Sequence, residues 1–498
     1  MFRENVLSVT TEVEPQSTLF KASWLNTGRV THLFRIMAWH PTFLERFTET
    51  YDFLLRADGP LPFAHRHYLA LVSTARFKCY YLVKQQEQEF LLAGGDPTWL
   101  EGVDKSAPKL QRILEVNAIL AHQPWRLLPS HIADLVKIAG SADRWSVGEL
   151  VQACVIMATF RALAGLAIGM GINLEVDINV EDTYGETYAS EMGATSSHTR
   201  HEDMYAGDPL SSSNSSNSST GSASASEPTQ QQQQLTSKLA TRSTNDDLKT
   251  PADAEKRKEL FEAAGDATPA VSASASPTSS QHSSPQPSSK IVAAADANAP
   301  TSSNFSEISV NSTSVAVGGS SAEESGYFAK YTSPYPIRHT DFDVRSRDYS
   351  VFHIQDWSWE EHAYELLERS YDRDLAKCLD SEFTTIFELT YNQVNGQKGV
   401  DTAPFRRSVW YYVHRIHGIL HDDYNYATVN ELLLRNLKKF TKDLSLTPWQ
   451  TSPQDFVNLG YSLSPEEKCH IALLATEARK QAELMYALHA ISRHLSSS

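Results

Sequence analysis

The chain has little cysteine: four residues in 498, at Cys79, Cys154, Cys378 and Cys469. They are widely spaced and form no CxxC pair, which excludes a disulfide scaffold and the common zinc modules and points to a reducing compartment. Cations are scarce as well. Lys and Arg total 44 against 60 Asp and Glu, a formal net charge of −16, so non-specific nucleic-acid binding finds no support. No Walker A, GxGxxG or HExxH pattern stands out, and no metal or other cofactor is expected. The N-terminus from Met1 to Phe20 is polar, with Glu4, Glu12 and Glu14, and fits no secretory signal. The longest apolar run, Leu150 to Ile172, carries Arg161 near its middle. A membrane span tolerates that poorly, so a buried helix is expected and no membrane insertion.

What the chain does contain is of two kinds. One is rich in Leu, Tyr, Trp and Phe; the other is almost devoid of them. Residues 1–15 read as a disordered N-terminus. Residues 16–180 read as an all-α domain, with Phe43, Phe47 and Tyr51 at four-residue steps and a helical pattern from Tyr68 to Leu92 that stops at Gly94-Gly95-Asp96-Pro97. Residues 181–336 are dominated by Ser, Thr, Ala, Pro and Asn, with glutamines from Gln230 to Gln234. Such a stretch buries too little apolar surface to offset its ordering entropy and reads as a disordered linker. Within it, Pro251 to Ala264 has helical propensity and reads as a transient helix. Residues 337–494 return to helical patterning. Three capping boxes are expected, at Ser146–Glu149, Ser358–Glu361 and Ser464–Glu467, the last with Pro465 at the first helical position. A weak repeat links the halves: seventeen positions separate Pro62 of Pro62-Phe63 from Cys79, and Pro404 of Pro404-Phe405 from His421.

Cys79 sits in Arg76-Phe77-Lys78-Cys79-Tyr80-Tyr81, inside the helical pattern. Nearby positive charge lowers a thiol's pKa below the free value of about 8.5 and favours the reactive thiolate. A helical cysteine is equally a small core hydrophobe. Both readings stand on the residues alone.

Several blocks together resemble the sestrins. They include His65-Arg66-His67-Tyr68 through Cys79-Tyr80-Tyr81-Leu82-Val83, Gly94-Gly95-Asp96-Pro97-Thr98-Trp99-Leu100, and Leu120-Ala121-His122-Gln123-Pro124-Trp125. Leu389-Thr390-Tyr391-Asn392, Gly399-Val400-Asp401-Thr402, Arg406-Arg407, Asp422-Asp423-Tyr424, Glu477-Ala478-Arg479 and Leu484-Met485-Tyr486-Ala487-Leu488 follow in order. The resemblance implies an all-α fold of two alkylhydroperoxidase D-like helical domains joined by a long disordered linker. It further implies a stress-induced cytoplasmic protein, with the nucleus open as a second compartment. Such a protein restrains mTOR complex 1 by binding the GATOR complex and senses leucine or a similar amino acid. The alternative it carries is a hydroperoxide reductase active against oxidative stress.

The family's redox residues fall on Cys79 and Tyr81, but its relay histidine falls on Gln86, which cannot carry a proton at neutral pH. The place of the bacterial resolving cysteine holds Leu82. His67 is the candidate substitute base, with a structural role open to it and to His65. The leucine site implied by the resemblance comprises Arg406 for the carboxylate, Glu467 for the ammonium, Thr390 and Tyr391 in the lid, Thr402 as latch, and His470. Gln393 replaces a lid threonine, and the pocket tryptophan falls at Gly460, beside Tyr461. The GATOR-binding pair falls on Asp422-Asp423. Each has a plainer reading: Glu467 as a cap, Arg406 as an internal ion pair, Asp422-Asp423 as an exposed helix end.

Overall fold

The computed structural model describes residues 15–137, 143–175, 238, 321–389, 393–394 and 397–497. Nine helices precede residue 176 among these: α1 (Pro15–Thr27), α2 (His32–Met37), α3 (Pro41–Arg56), α4 (Phe63–Arg76), α5 (Tyr80–Leu92), α6 (Pro108–Arg112), α7 (Leu114–His122), α8 (Pro129–Val136) and α9 (Val147–Gly169). Eight follow: α10 (Ser321–Thr332), α11 (Tyr364–Ser370), α12 (Arg373–Glu388), α13 (Ala403–Ile416), α14 (Ala427–Leu432), α15 (Arg435–Leu446), α16 (Pro453–Val457) and α17 (Pro465–Ser497). The strands are two residues each. β1 (Phe352–His353) pairs in parallel with β4 (Ile419–Leu420), and β2 (Gln393–Val394) pairs antiparallel with β3 (Gln397–Lys398). The all-α expectation holds.

The capping boxes at Ser146–Glu149 and Ser464–Glu467 form with both reciprocal bonds. At Ser358 the Oγ accepts from Glu361 N, but the return bond runs from Ser358 N to His362 Nδ1, because the first turn is a π-helix, Trp359–Ala363. The wider turn moves the side chain that reaches back by one position.

Helices α9 and α17 lie against each other at the centre, α4 packs on α9, and α13 packs on α17. Helix α3 from the first half packs along α12 of the second. One apolar core therefore runs through both halves. Helix α9 is long and apolar enough to cross a membrane, yet 94% of its apolar window is buried inside the protein. Arg161 within it is fully buried and ion-paired with Glu483 of α17, which Arg479 also contacts. One turn before Glu483 on α17, Lys480 is buried between Glu382 of α12 and Glu477.

Helix α10 begins inside the stretch read as linker. Phe328 and Tyr331 are buried, and α10 packs on α4. Tyr327 and Tyr331 both donate to Glu87 of α5, at 3.0 and 2.6 Å. On the other side of the stretch, Tyr81 of α5 donates to Glu175 at 2.6 Å. Both ends are thus fastened to the same helix of the first half. The chain passes to the second half only after α10. The Pro251 to Ala264 segment and residues 1–14 lie outside the described residues.

Candidate functional site

The C-terminal end of α12 gathers most of the ligand-site residues. The last carbonyls of a helix lack intrahelical partners and carry partial negative charge, so cations and N–H donors collect there. Arg406, on the first turn of α13, donates through Nη1 to Phe387 O and through Nε to Thr402 Oγ1 at 3.3 Å. His470, on the first turns of α17, has Nε2 3.4 Å from Ile386 O. Glu467 lies one turn before His470 on the same helix. Arg406 and Thr402 are 7% and 8% exposed, and no carboxylate forms an ion pair with Arg406 among the described residues. Burial is the main influence on Arg406 and disfavours its charge; Asp401 and Glu388 favour it from a distance. Among the described residues, the internal ion pair that the sequence left open to Arg406 is not made.

Glu467 is the reciprocal cap of Ser464, the plainer of its two readings, and is half-buried. His470 is held neutral, its pKa lowered to about 3 by burial and then by His40. His40, from the α2–α3 junction, lies 5.4 Å from the His470 ring and bonds Glu466 O at 3.2 Å. The first half therefore supplies a wall of this site. Thr390 and Tyr391 lie outside the described residues, as does the Gln393 side chain. Gly460 has φ +88, and a Cβ there would meet Leu434. Tyr461 is buried and donates to Leu432 O at 2.7 Å, so its hydroxyl is already engaged.

Asp422 and Asp423 are exposed. The sequence placed them at a helix end. Instead α13 stops at Ile416, Gly418 turns with φ +78, β4 follows, and the acids come after the strand. Asp422 bonds His353 Nδ1 at 3.0 Å, across the β1–β4 pair. Behind them His421 stacks on Tyr411 at 4.0 Å and meets His414 Nδ1 at 2.9 Å. Burial holds His421 near 4.

The thiol site departs from its expectation. Cys79 is the N-cap of α5, not an internal helical residue, because the chain breaks at Lys78, which adopts φ +54. Its side chain is 1% exposed, and burial pushes the thiol up to about 12. The N–H groups of Tyr81 and Leu82 pull the other way and lose to desolvation. The nearby cations do not activate it: buried Arg76 turns to Tyr335 O at 2.8 Å, and Lys78 to the face of Trp449. His67 Nδ1 meets Gln86 Oε1 at 2.9 Å, and burial lowers its pKa. His65 is near Trp99, 5.6 Å between rings, and burial lowers its pKa too. Tyr81 is held by Glu175, a residue sequence reasoning missed; nothing in its local pattern marks it.

Among the described residues no three His, Cys, Asp or Glu side chains gather as a metal site. The family model described as PA26 p53-induced protein (sestrin) matches residues 1–495. The chain belongs to the sestrin family. It is similar to a sestrin homolog of Dictyostelium discoideum, at 37% identity over 97% of this chain and 74% of the relative. It is also similar to sestrin-1 of Macaca fascicularis (30%; 99% and 89% covered) and sestrin-2 of Mus musculus (31%; 95% and 85%). In this sestrin frame Thr402, Arg406, Glu467 and His470 share one locality, while Asp422 and Asp423 form a separate exposed patch beyond the far end of α13. The sequence could not indicate His40, Phe387 O or Ile386 O, because a carbonyl at a helix end and a ring from the other half leave no motif.

Proposed function

We propose that this chain is a stress-responsive negative regulator of mTOR complex 1 signalling that senses leucine or a similar amino acid and binds the GATOR complex, acting in the cytoplasm. The observation that carries the amino-acid reading is Arg406, a buried guanidinium with no ion-pair partner among the described residues. A buried cation without a counter-charge is costly, and a ligand carboxylate would supply one through a charge-assisted, bidentate contact. Thr402 stands beside it, and Glu467 of α17, half-buried one turn before His470, is the acid we assign to the ammonium. Gly460 in place of an aromatic wall should weaken the grip on an apolar side chain by about 1–3 kcal/mol, one to two decades of affinity.

Calorimetry on the full chain with leucine, isoleucine and methionine tests this. Heat should appear for at least one and vanish in Arg406→Leu. Silence from all three, with a folded sample, rejects the sensor reading. For the partner, Asp422→Ala/Asp423→Ala should lose GATOR in a pull-down; unchanged capture rejects that surface. A Cys79-dependent alkyl hydroperoxide reductase is the weaker reading, since the thiol is buried and Gln86 occupies the relay position. Equal rates of hydroperoxide loss for the parent and Cys79→Ser would remove it.

A further inference from the structure

Between the two halves, away from Arg406, lies an unbalanced group of charges. Arg76, Arg161 and Arg479 are each at most 1% exposed. One carboxylate, Glu483, serves two of them, Arg161 and Arg479. Arg161 also reaches Asn117 Oδ1, and Arg479 donates to Ser445 O and Ala121 O. Among the described residues Arg76 bonds only backbone carbonyls: Tyr335 O at 2.8 Å, Pro336 O at 3.4 Å and Thr332 O at 3.5 Å. Among the described residues, three guanidiniums against one carboxylate leave two buried positive charges, in a chain whose net charge is −16.

His122 sits among them. It is 3% exposed, and both ring nitrogens are buried without a hydrogen-bond partner among the described residues; so is Arg76 Nε, and so is Nδ1 of His339. Burial lowers the His122 pKa first, followed by the charges of Arg76, Arg161, Arg479 and His339. A buried imidazole with two idle nitrogens is unusual, because an unmet buried polar group costs about 1–3 kcal/mol. Water would satisfy the hydrogen bonds but not the charge. An anion supplies the charge and accepts from Arg76 Nε and from the one N–H of the neutral His122 ring.

The location also offers an approach. The His122 ring lies 6.2 Å from Phe77 and 6.0 Å, edge to face, from Trp449. Trp449 is half-buried, and the Lys78 ammonium stands 6.0 Å over it. One indole thus separates His122 from a surface cation.

We propose that the cluster around His122 is a binding site for a small anion, a halide or the carboxylate of a small acid, held by Arg76 Nε and the His122 ring. It is distinct from the Arg406 locality and does not rest on the amino-acid reading. The test uses the full-length chain. Bromide-soaked crystals should show an anomalous peak within hydrogen-bond reach of His122 and Arg76 Nε. Thermal melts at fixed ionic strength should show a saturable rise of roughly a few degrees with the bound anion. Bromide and acetate titrated against a bulky organic anion distinguish the halide from the carboxylate. The rise should vanish in His122→Phe and Arg76→Met. Should either variant fail to fold, the bromide map of the parent chain decides alone. No peak beside His122, or melts indifferent to both anions, overturns the proposal.

Discussion

A thiol with a pKa near 12 stays protonated throughout the physiological range, and the thiolate is the form that reacts. Cys79, Cys154 and Cys469 are all buried and all pushed up to about 12, whereas Cys378 is half-buried. Iodoacetamide at neutral pH should therefore label Cys378 first and the other three about tenfold more slowly or less until denaturant is added. Peptide mapping by mass spectrometry reads this, and rapid labelling of Cys79 would show that its shell opens. Glu477 makes a second residue-scale case. Burial raises its pKa to about 8, above the ordinary 4.5, so the folded chain holds a proton that the unfolded chain gives up. Its contribution is complete below about pH 4.5 and is lost as pH rises through 8. Between pH 6.5 and 8, where the buried histidines contribute alike to both chains, the parent should lose thermal stability relative to Glu477→Gln. Cys79 and Arg406 were legible in the sequence because they sit in contiguous motifs. Glu175 and His40 were not, since each meets its partner across a large sequence separation, Tyr81 with Glu175 and His40 with His470.

Helix interfaces are set by small residues at close approach. A Cβ at Gly165 of α9 would come within 2.6 Å of Leu444 O on α15, and one at Gly169 would meet the Leu444 side chain. Backbone cannot step aside as a side-chain tip can, so Gly165→Ala should cost about 1–3 kcal/mol, read from urea unfolding. The break at Lys78 predicts the opposite sign. A non-glycine residue in the left-handed region costs about 1–2 kcal/mol, so Lys78→Gly should leave the fold equally or more stable, with a raised denaturation midpoint. That break was not legible: Arg76 to Cys79 holds neither glycine nor proline, and the apolar pattern runs on through it. The helices that begin with a cap and a proline, α17 above all, were legible because capping is local chemistry.

For the whole molecule, the buried pair Arg161–Glu483 fastens α9 to α17 across the halves. Removing one member strands the other in the core, which costs about 3–5 kcal/mol. Glu483→Gln should lower stability by that order, and calorimetry of the parent should show one cooperative transition, because the core is continuous. Two separate transitions would contradict a shared core. Composition alone separated the helical halves from the polar stretch between them. It could not show that the halves share a core, because apolar periodicity says which face is buried and not against what.

Residues 81 and 87, to which the two flanks of the intervening stretch are tied, are six positions apart on α5, a rise of about 9 Å. The two described flanks of the stretch therefore leave and rejoin the fold at one helix, and do not space two bodies apart. The entropy of closing such an excursion grows with the logarithm of its length, about 0.6 kcal/mol for each doubling. Because the flanks are fixed at α5, changing the number of residues between them leaves the separation of the two halves, and any effective concentration between them, unchanged.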